Sequence, residues 1–225
     1  MPYPADHRER TRVRILASAQ ALFNRRGFEG VSIDEVMANA GLTHGGFYSY
    51  FRSKTELYAE VVSLGLETVA RLRQIEPLDR PSAERADVEA AQRIARAYLS
   101  RQHFDDLDGS CPLAALPGDV RRSDPAVKQA FESVFKSVAD VFERGLIGTG
   151  RPDPARAIAI AILCVGGMVV ARSVNDSAFA DDLRHAALSA AFHLGRLSPP
   201  SDAHAVEPAE SSDGKQASIA GQKSV

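Results

Sequence analysis

The chain has no tryptophan, only two cysteines in 225 residues and no surplus of charge of one sign: 27 Lys and Arg stand against 29 Asp and Glu, for a net charge of −2. Each shortage excludes something. Cys111 and Cys164 cannot build a disulfide framework, and they fit a reducing compartment. A chain with a pI near 6.3 does not coat nucleic acid by bulk charge, so any affinity for it must come from a local patch. The longest apolar stretch, 157–171 between Arg156 and Arg172, falls short of the roughly 20 residues that span a bilayer. It reads as a buried helix, and no membrane partner is expected. No secretory apolar segment opens the chain, so the expected location is the cytoplasm. Also missing are a Gly-rich phosphate loop, H-E-x-x-H, C-x-x-C and G-x-S-x-G. His185 and His193 are two helical turns apart, not the one turn that shares a metal well. Neither an enzyme nor a metal or cofactor site is expected.

What is present is helical periodicity, with no convincing alternating strand, so the fold class reads as all-α. Helices are expected over about 8–26, 33–40, 54–74, 83–103, 125–146, 154–174 and 178–197. Asp124-Pro125 and Asp153-Pro154 place an acidic cap before a proline at the first helical position, which opens two of them. A break is expected over 76–82, with Pro77 and Pro81, and a loop over 105–110 leading to Cys111-Pro112. Beyond Leu197 the chain turns to Ser, Pro, Ala and Gly, which predicts a disordered tail. The expected units are a small reader over 1–53, a larger helical body over 54–197 and the tail over 198–225.

The densest signal lies at 32–57, SIDEVMANAGLTHGGFYSYFRSKTEL. Ser32 and Glu35 have capping-box spacing, so a helix starts at Ile33. Ile33, Val36, Met37 and Ala40 share one face, and Gly41 sits where a left-handed residue ends a helix. Thr43 can cap a second short helix whose Phe47 and Phe51 point inward while His44, Tyr48 and Ser49 face out. Ser53 and Glu56 repeat the capping spacing and start a third helix near Lys54. This is the layout of a helix-turn-helix, whose second helix fits a major groove about 12 Å wide. A hairpin that merely packs a core is the bland reading. Against it stand Gly45 and Gly46, each costing about 1 kcal/mol relative to Ala inside a helix. A close approach of backbone to a phosphate or base edge would justify them. Ahead of this segment, Ile15, Leu16, Ala19, Leu22 and Phe23 form a scaffold stripe. Arg8, Arg10, Arg12 and Arg14 cluster before it, well placed to reach a phosphate or the minor groove.

The run from about 12 to 62 resembles the N-terminal DNA-binding domain of the TetR family of transcriptional regulators. Agreement in order and spacing covers Ile15, Leu16, Ala19, Leu22, Phe23, Gly27, Phe28, Ile33, Ala40, Gly41, Leu42, Gly45, Phe47, Tyr48, Phe51, Lys54 and Leu57. The resemblance makes 43–49 the recognition helix. It assigns Thr43, His44, Gly45, Gly46, Tyr48 and Ser49 to the groove or its phosphates, Tyr50 and Lys54 to the backbone, and Ser32 to a phosphate. His44 stands where Lys or Arg is common and Gly46 where a small polar residue or Ala is usual, which blurs which bases are read. Physically, Lys54 at a helix start suits a phosphate, Tyr48 suits a thymine methyl or phosphate oxygen, and His44 donates more strongly when charged.

The last two long helices carry more apolar and small residues than a surface helix needs: Ile158, Ile162, Leu163, Gly166 and Gly167 on one, Leu183, Ala187, Leu188, Ala191 and Phe192 on the other. Burial within the monomer is one answer and a homodimer four-helix bundle is the other. The resemblance favours the dimer, and a two-fold dimer implies a pseudo-palindromic operator on double-stranded DNA. It also implies a repressor with a small-molecule effector held among the middle helices. Phe104, Leu113, Leu116, Phe131, Phe135, Val138, Phe142, Leu163 and Met168 could line that pocket, although Phe at helical spacing is more often plain core. Cys111 before Pro112 reads as a helix N-cap, where free amides would lower its pKa and favour the thiolate. GSCPLAAL resembles a Cys-containing subset of the family, some of which sense electrophiles or oxidants. A buried structural cysteine is the alternative. For the whole chain, the alternative is a helical ligand-binding or interaction protein without a specific operator.

Overall fold

The computed structural model describes residues 5–73, 83–147 and 153–197, and among them every regular element is helical. In order these are α1 (Ala5–Arg26), α2 (Ile33–Asn39), a 3-10 helix (His44–Ser49), α3 (Lys54–Arg73), α4 (Ala83–Tyr98), α5 (Arg101–Asp105), α6 (Pro112–Ala115), α7 (Pro117–Arg122), α8 (Pro125–Ile147), α9 (Pro154–Ala171) and α10 (Ser177–Gly195). The expected break at 76–82 and the expected tail over 198–225 lie outside the described residues.

Most elements start where a cap was readable. Asp153 accepts the Arg156 amide at 3.0 Å with Pro154 at the first position of α9, and Asp176 caps α10. The helix expected over 83–103 is two helices. Its ladder stops at Tyr98, and the Ser100 hydroxyl accepts the His103 amide at 3.0 Å to open α5. A serine inside a helical run can cap a new helix as well as ride an old one, and spacing alone did not choose. The short helices α6 and α7, each begun by a proline, were not expected as a pair.

Two cores form. The first packs Ile15, Ala19 and Phe23 of α1 on Val36, Met37, Phe47 and Phe51, then on Leu57, Tyr58, Val61 and Val62 of α3, and continues into Leu116, Val120 and Val127. The second gathers Val69, Ile94, Leu113, Val134, Val138, Phe142, Ile160, Met168 and Ala191. Helix α3 belongs to both, so the reader and the body share one rigid element. Its crossing with α8 is close because of Gly65. A Cβ there would lie 2.6 Å from Val134 Cγ1, inside contact distance of a fully buried, branched side chain.

Helix α9 corrects one expectation. Its 18 residues are long and apolar enough to cross a membrane by length and composition, but one face packs on α10 and α8. Ala157, Ile160, Ala161, Cys164, Met168 and Ala171 are buried, whereas Ile158 is 44% and Ile162 56% exposed. The helix is buried on one side only. Gly167 serves the inner crossing, since its Cβ would lie 2.5 Å from that of Ala187, whereas Gly166 faces open space among the described residues.

Gly65→Ala should therefore lower stability by about 1–3 kcal/mol, the usual range for overpacking. Thermal denaturation followed by circular dichroism would show it, and an unchanged Tm would mean that α3 and α8 separate freely.

Candidate nucleic-acid interface and internal cavity

Helix α2 begins with a complete capping box: Ser32 Oγ accepts the Glu35 amide at 3.2 Å and Glu35 Oε2 accepts the Ser32 amide at 2.8 Å. The Ser32 amide and Arg26 hold the Glu35 carboxyl well below its ordinary range, at about 2. The Ser32 hydroxyl also lies 2.9 Å from Glu35 Oε2, so its proton is engaged inside the cap rather than free for a phosphate. At the other end the Leu42 amide donates to Met37 O and the Gly41 amide to Ala38 O, with Gly41 at φ +68°. That is a Schellman ending, with glycine at the left-handed position as its spacing predicted.

The segment expected as a recognition helix is a 3-10 helix, and Thr43 stands extended at its start without a side-chain cap bond. Phe47 and Phe51 are buried and fasten it to the first core, while Tyr48 is 61% exposed. Thr43, His44, Gly45, Tyr48 and Ser49 lie together on the exposed side; Gly46 and Tyr50 are half-buried. A Cβ on Gly45 would meet nothing within 4 Å among the described residues, and one on Gly46 would meet only the Met37 methyl, at 3.6 Å. Neither glycine has a positive φ. Packing and backbone conformation thus give no reason for glycine at either position.

Charge around this surface is partly engaged within the chain. His44 Nδ1 lies 2.5 Å from Asp34 Oδ1. Lys54 is half-buried with Nζ 4.2 Å above the Phe28 ring, and burial lowers its pKa. Ser53 Oγ accepts the Glu56 amide at 3.0 Å, but the Glu56 carboxylate takes the Arg52 amide instead of completing a second capping box. The arginines at the start of the first helix lie inside α1, and three of them are engaged within the chain instead of forming a free basic arm. Arg8 donates to Ser49 O at 3.0 Å, Arg14 to Ala40 O at 2.5 Å, and Arg12 to Glu60 while sitting over Phe51. These three brace the reader from behind. A sequence run of basic residues does not reveal which carbonyls the fold brings within reach.

A cavity of about 520 Å³ opens between α3, α4, α8 and the 100–112 segment. Of the residues expected to line a pocket, Cys111 and Val138 are on its wall and the others are not. Leu113, Leu116 and Met168 are core, with Leu116 in the first core. Phe104 lies against the guanidinium groups of Arg101 and Arg184, and Phe135 lines a separate groove between α8 and α9. The walls come instead from residues such as Val69, Leu72, Ile94, Ala97 and Tyr98, together with His103. No local pattern marked them, because their meeting depends on the angle between α3 and α4.

Cys111 stands at the N-cap position of α6 ahead of Pro112, as its place in the sequence suggested, but without a side-chain cap bond. The activated thiolate does not follow: burial pushes the thiol pKa up and outweighs the opposing pull of the Leu113 amide and the Tyr98 hydroxyl. Burial likewise raises Cys164 to about 12, consistent with an inert core thiol. Beside Cys111, His103 donates from Nδ1 to Tyr98 O at 2.6 Å and accepts the Cys111 amide on Nε2 at 3.3 Å; burial lowers its pKa, so the ring is neutral. The loop holding these groups is strapped from two sides. Arg172, just past α9, donates to Ser110 Oγ at 2.5 Å and to Phe104 O at 3.3 Å, while Asn24 of α1 donates to Ser110 O at 3.0 Å and Arg25 to Asp108. Iodoacetamide should modify Cys111 more slowly than it does a free thiol near neutral pH, with the rate still climbing past pH 9. Mass spectrometry of the intact protein would follow it, and fast modification at neutral pH would restore the reactive-thiolate reading.

Residues 15–61 match the family model described as bacterial regulatory proteins, tetR family. YfiR of Bacillus subtilis strain 168, an uncharacterized HTH-type transcriptional regulator, is 33% identical over 62 residues, which are 28% of this chain and 30% of YfiR. YxaF of the same organism, likewise an uncharacterized HTH-type regulator, is 27% identical over 143 residues, 62% of this chain and 72% of YxaF. The chain thus spans under a third of the length of the first curated relatives it matches. Among solved structures, the reduced form of Escherichia coli NemR superposes with a TM-score of 0.66 at 19% identity, covering 81% of this chain and 95% of NemR, which bears on the fold alone. The matched model lies on α1, α2, the 3-10 helix and the start of α3, so residues 15–61 carry the sequence pattern of the tetR family of bacterial regulatory proteins, with an all-helical body behind them.

Proposed function

We propose that the chain is a cytoplasmic, sequence-specific DNA-binding transcriptional regulator, a repressor that a small molecule releases from its operator. The carrying observation is the exposed surface formed by Thr43, His44, Gly45, Tyr48 and Ser49, where Gly45 and the half-buried Gly46 beside it have no packing or conformational reason to be glycine. A duplex approaching the backbone closely supplies that reason. Tyr48 offers a ring and a hydroxyl to a base edge or phosphate. His44 and Lys54 contribute after exchanging Asp34 and Phe28 for DNA. Ser32 and Tyr50 position the segment, the first through its cap and the second through the half-buried end of the 3-10 helix.

The test is fluorescence anisotropy against DNA flanking the chain's own gene, with scrambled DNA of equal length as control. A specific ratio of about 10³ or more is expected. Gly45→Ala should bind the specific DNA at least about tenfold more weakly while its Tm stays equal or rises, because Ala is the better helix former by about 1 kcal/mol. Equal weak binding to both DNAs would leave a helical ligand-binding protein as the better reading.

The same proposal includes a homodimer through α9 and α10. Ile158, Ile162, Gly166 and Val170 are four apart on α9, three of them large and exposed, with the open Gly166 between. Such a stripe lets two helices approach closely, and a two-fold pair would present two readers to half-sites spaced by about 34 Å or a multiple of it. Ile162→Asp should give a folded monomer by light scattering and lose specific operator affinity. A dimer that persists would place the interface elsewhere.

A further inference from the structure

The cavity beside Cys111 has a chemistry that narrows what it can hold. Val69 and Leu72 of α3, Ile94 and Ala97 of α4 and Val138 of α8 make its walls apolar. At one end stands Tyr98, 8% exposed, whose hydroxyl is sealed just behind the wall with no partner among the described residues apart from the neighbouring Cys111 thiol, a weak acceptor, so that a ligand reaches it by shifting the ring. The charged and strongly polar groups around it are engaged. His103 uses both ring nitrogens. Arg172 is spread over Ser110 and three backbone carbonyls. Asp106 accepts the Gly109 amide at 2.8 Å. Arg96 reaches the cavity wall but lays its guanidinium 5.0 Å over the Phe192 ring. A carboxylate entering here would have to draw Arg96 off the Phe192 ring, and an ammonium would compete with the Gly109 amide for Asp106, whereas an uncharged ligand requires neither exchange. Among the buried groups of the lining, the Tyr98 hydroxyl is left without a strong acceptor.

We propose that the cavity binds an uncharged, mainly apolar small molecule carrying a single oxygen acceptor, such as a ketone or ester carbonyl, which receives a hydrogen bond from the Tyr98 hydroxyl. The assignment rests on the reading of the C-terminal helices as the effector-binding body and gives that effector its chemical class. Burial keeps the Tyr98 pKa well above its ordinary value, so the group remains a donor across physiological pH. A volume of about 520 Å³ suits a small molecule, since such sites run from about 300 to 1,000 Å³.

The experiment is calorimetric titration of the full chain with two matched sets: benzophenone, diphenylmethane and diphenylacetate, then 2-acetylnaphthalene, 2-ethylnaphthalene and 2-naphthoate. Each ketone is expected to bind about tenfold more tightly than its hydrocarbon, with the carboxylate weakest. Tyr98→Phe should erase the ketone's advantage, leave the hydrocarbon unchanged and retain the wild-type Tm, because the hydroxyl it removes has no strong partner. The proposal is overturned if neither ketone binds, if ketone and hydrocarbon bind the wild type equally, if the carboxylates bind tightest, or if the variant keeps the preference. The wild-type ligands test the class without relying on the variant. Operator binding by the same preparation separates the two readings: specific DNA binding without a ketone preference overturns this inference alone, and a ketone preference without specific DNA binding supports it while removing the regulator.

Discussion

Helix α3 carries the arrangement of the molecule. Its first turns bury Leu57, Tyr58, Val61 and Val62 among the side chains that seat the reader, and farther along Val69 is buried with α4 and α8. Between those two regions the chain has Gly65, where α8 comes so near that a single methyl group would collide with Val134. Interiors are packed as tightly as organic crystals, so such a crossing resists gradual deformation. The reader's orientation on the body is consequently set by a helix that cannot adjust in one core without disturbing the other. The continuation of the first core into Leu116, Val120 and Val127 adds to the same constraint.

The polar groups of the reader follow a division of labour. Arg8, Arg12 and Arg14 look like a basic arm in one dimension, yet they close the back of the helix-turn-helix by bonding Ser49 O, Glu60 and Ala40 O. Glu35 is shared between the α2 cap and Arg26. The front is left to neutral or weakly committed side chains and to bare backbone at Gly45. In the proposed DNA complex such a surface would gain affinity from fit as well as from charge, in keeping with a chain whose net charge is −2.

Much of this was legible in the chain because the determinants are local. The Ser32–Glu35 box, the left-handed Gly41, Asp153 before Pro154 and the inward pair Phe47 and Phe51 all act within a few residues. What was not legible depends on distance. The division of 83–103 at Ser100 needed the loop that α5 serves, and the thiol of Cys111 needed to be seen under its neighbours, where burial prevails over the helix end. Most of the cavity walls other than Cys111 and Val138 were missed for the same reason: Val69 and Ile94 carry no mark that separates a wall from a core. The residues expected there, Leu113, Leu116 and Met168, are equally apolar and lie behind it.

The doubly strapped loop at 106–111 connects places otherwise far apart in the chain. On one side Arg172 grips it from the end of α9, and on the other Asn24 and Arg25 grip it from the helix that scaffolds the reader. Free energy exchanged through such a strap is reciprocal by thermodynamic necessity. If the cavity and the reader are both occupied as proposed, whatever factor the filled cavity imposes on the reader the filled reader imposes on the cavity, and each would register the other with equal sensitivity.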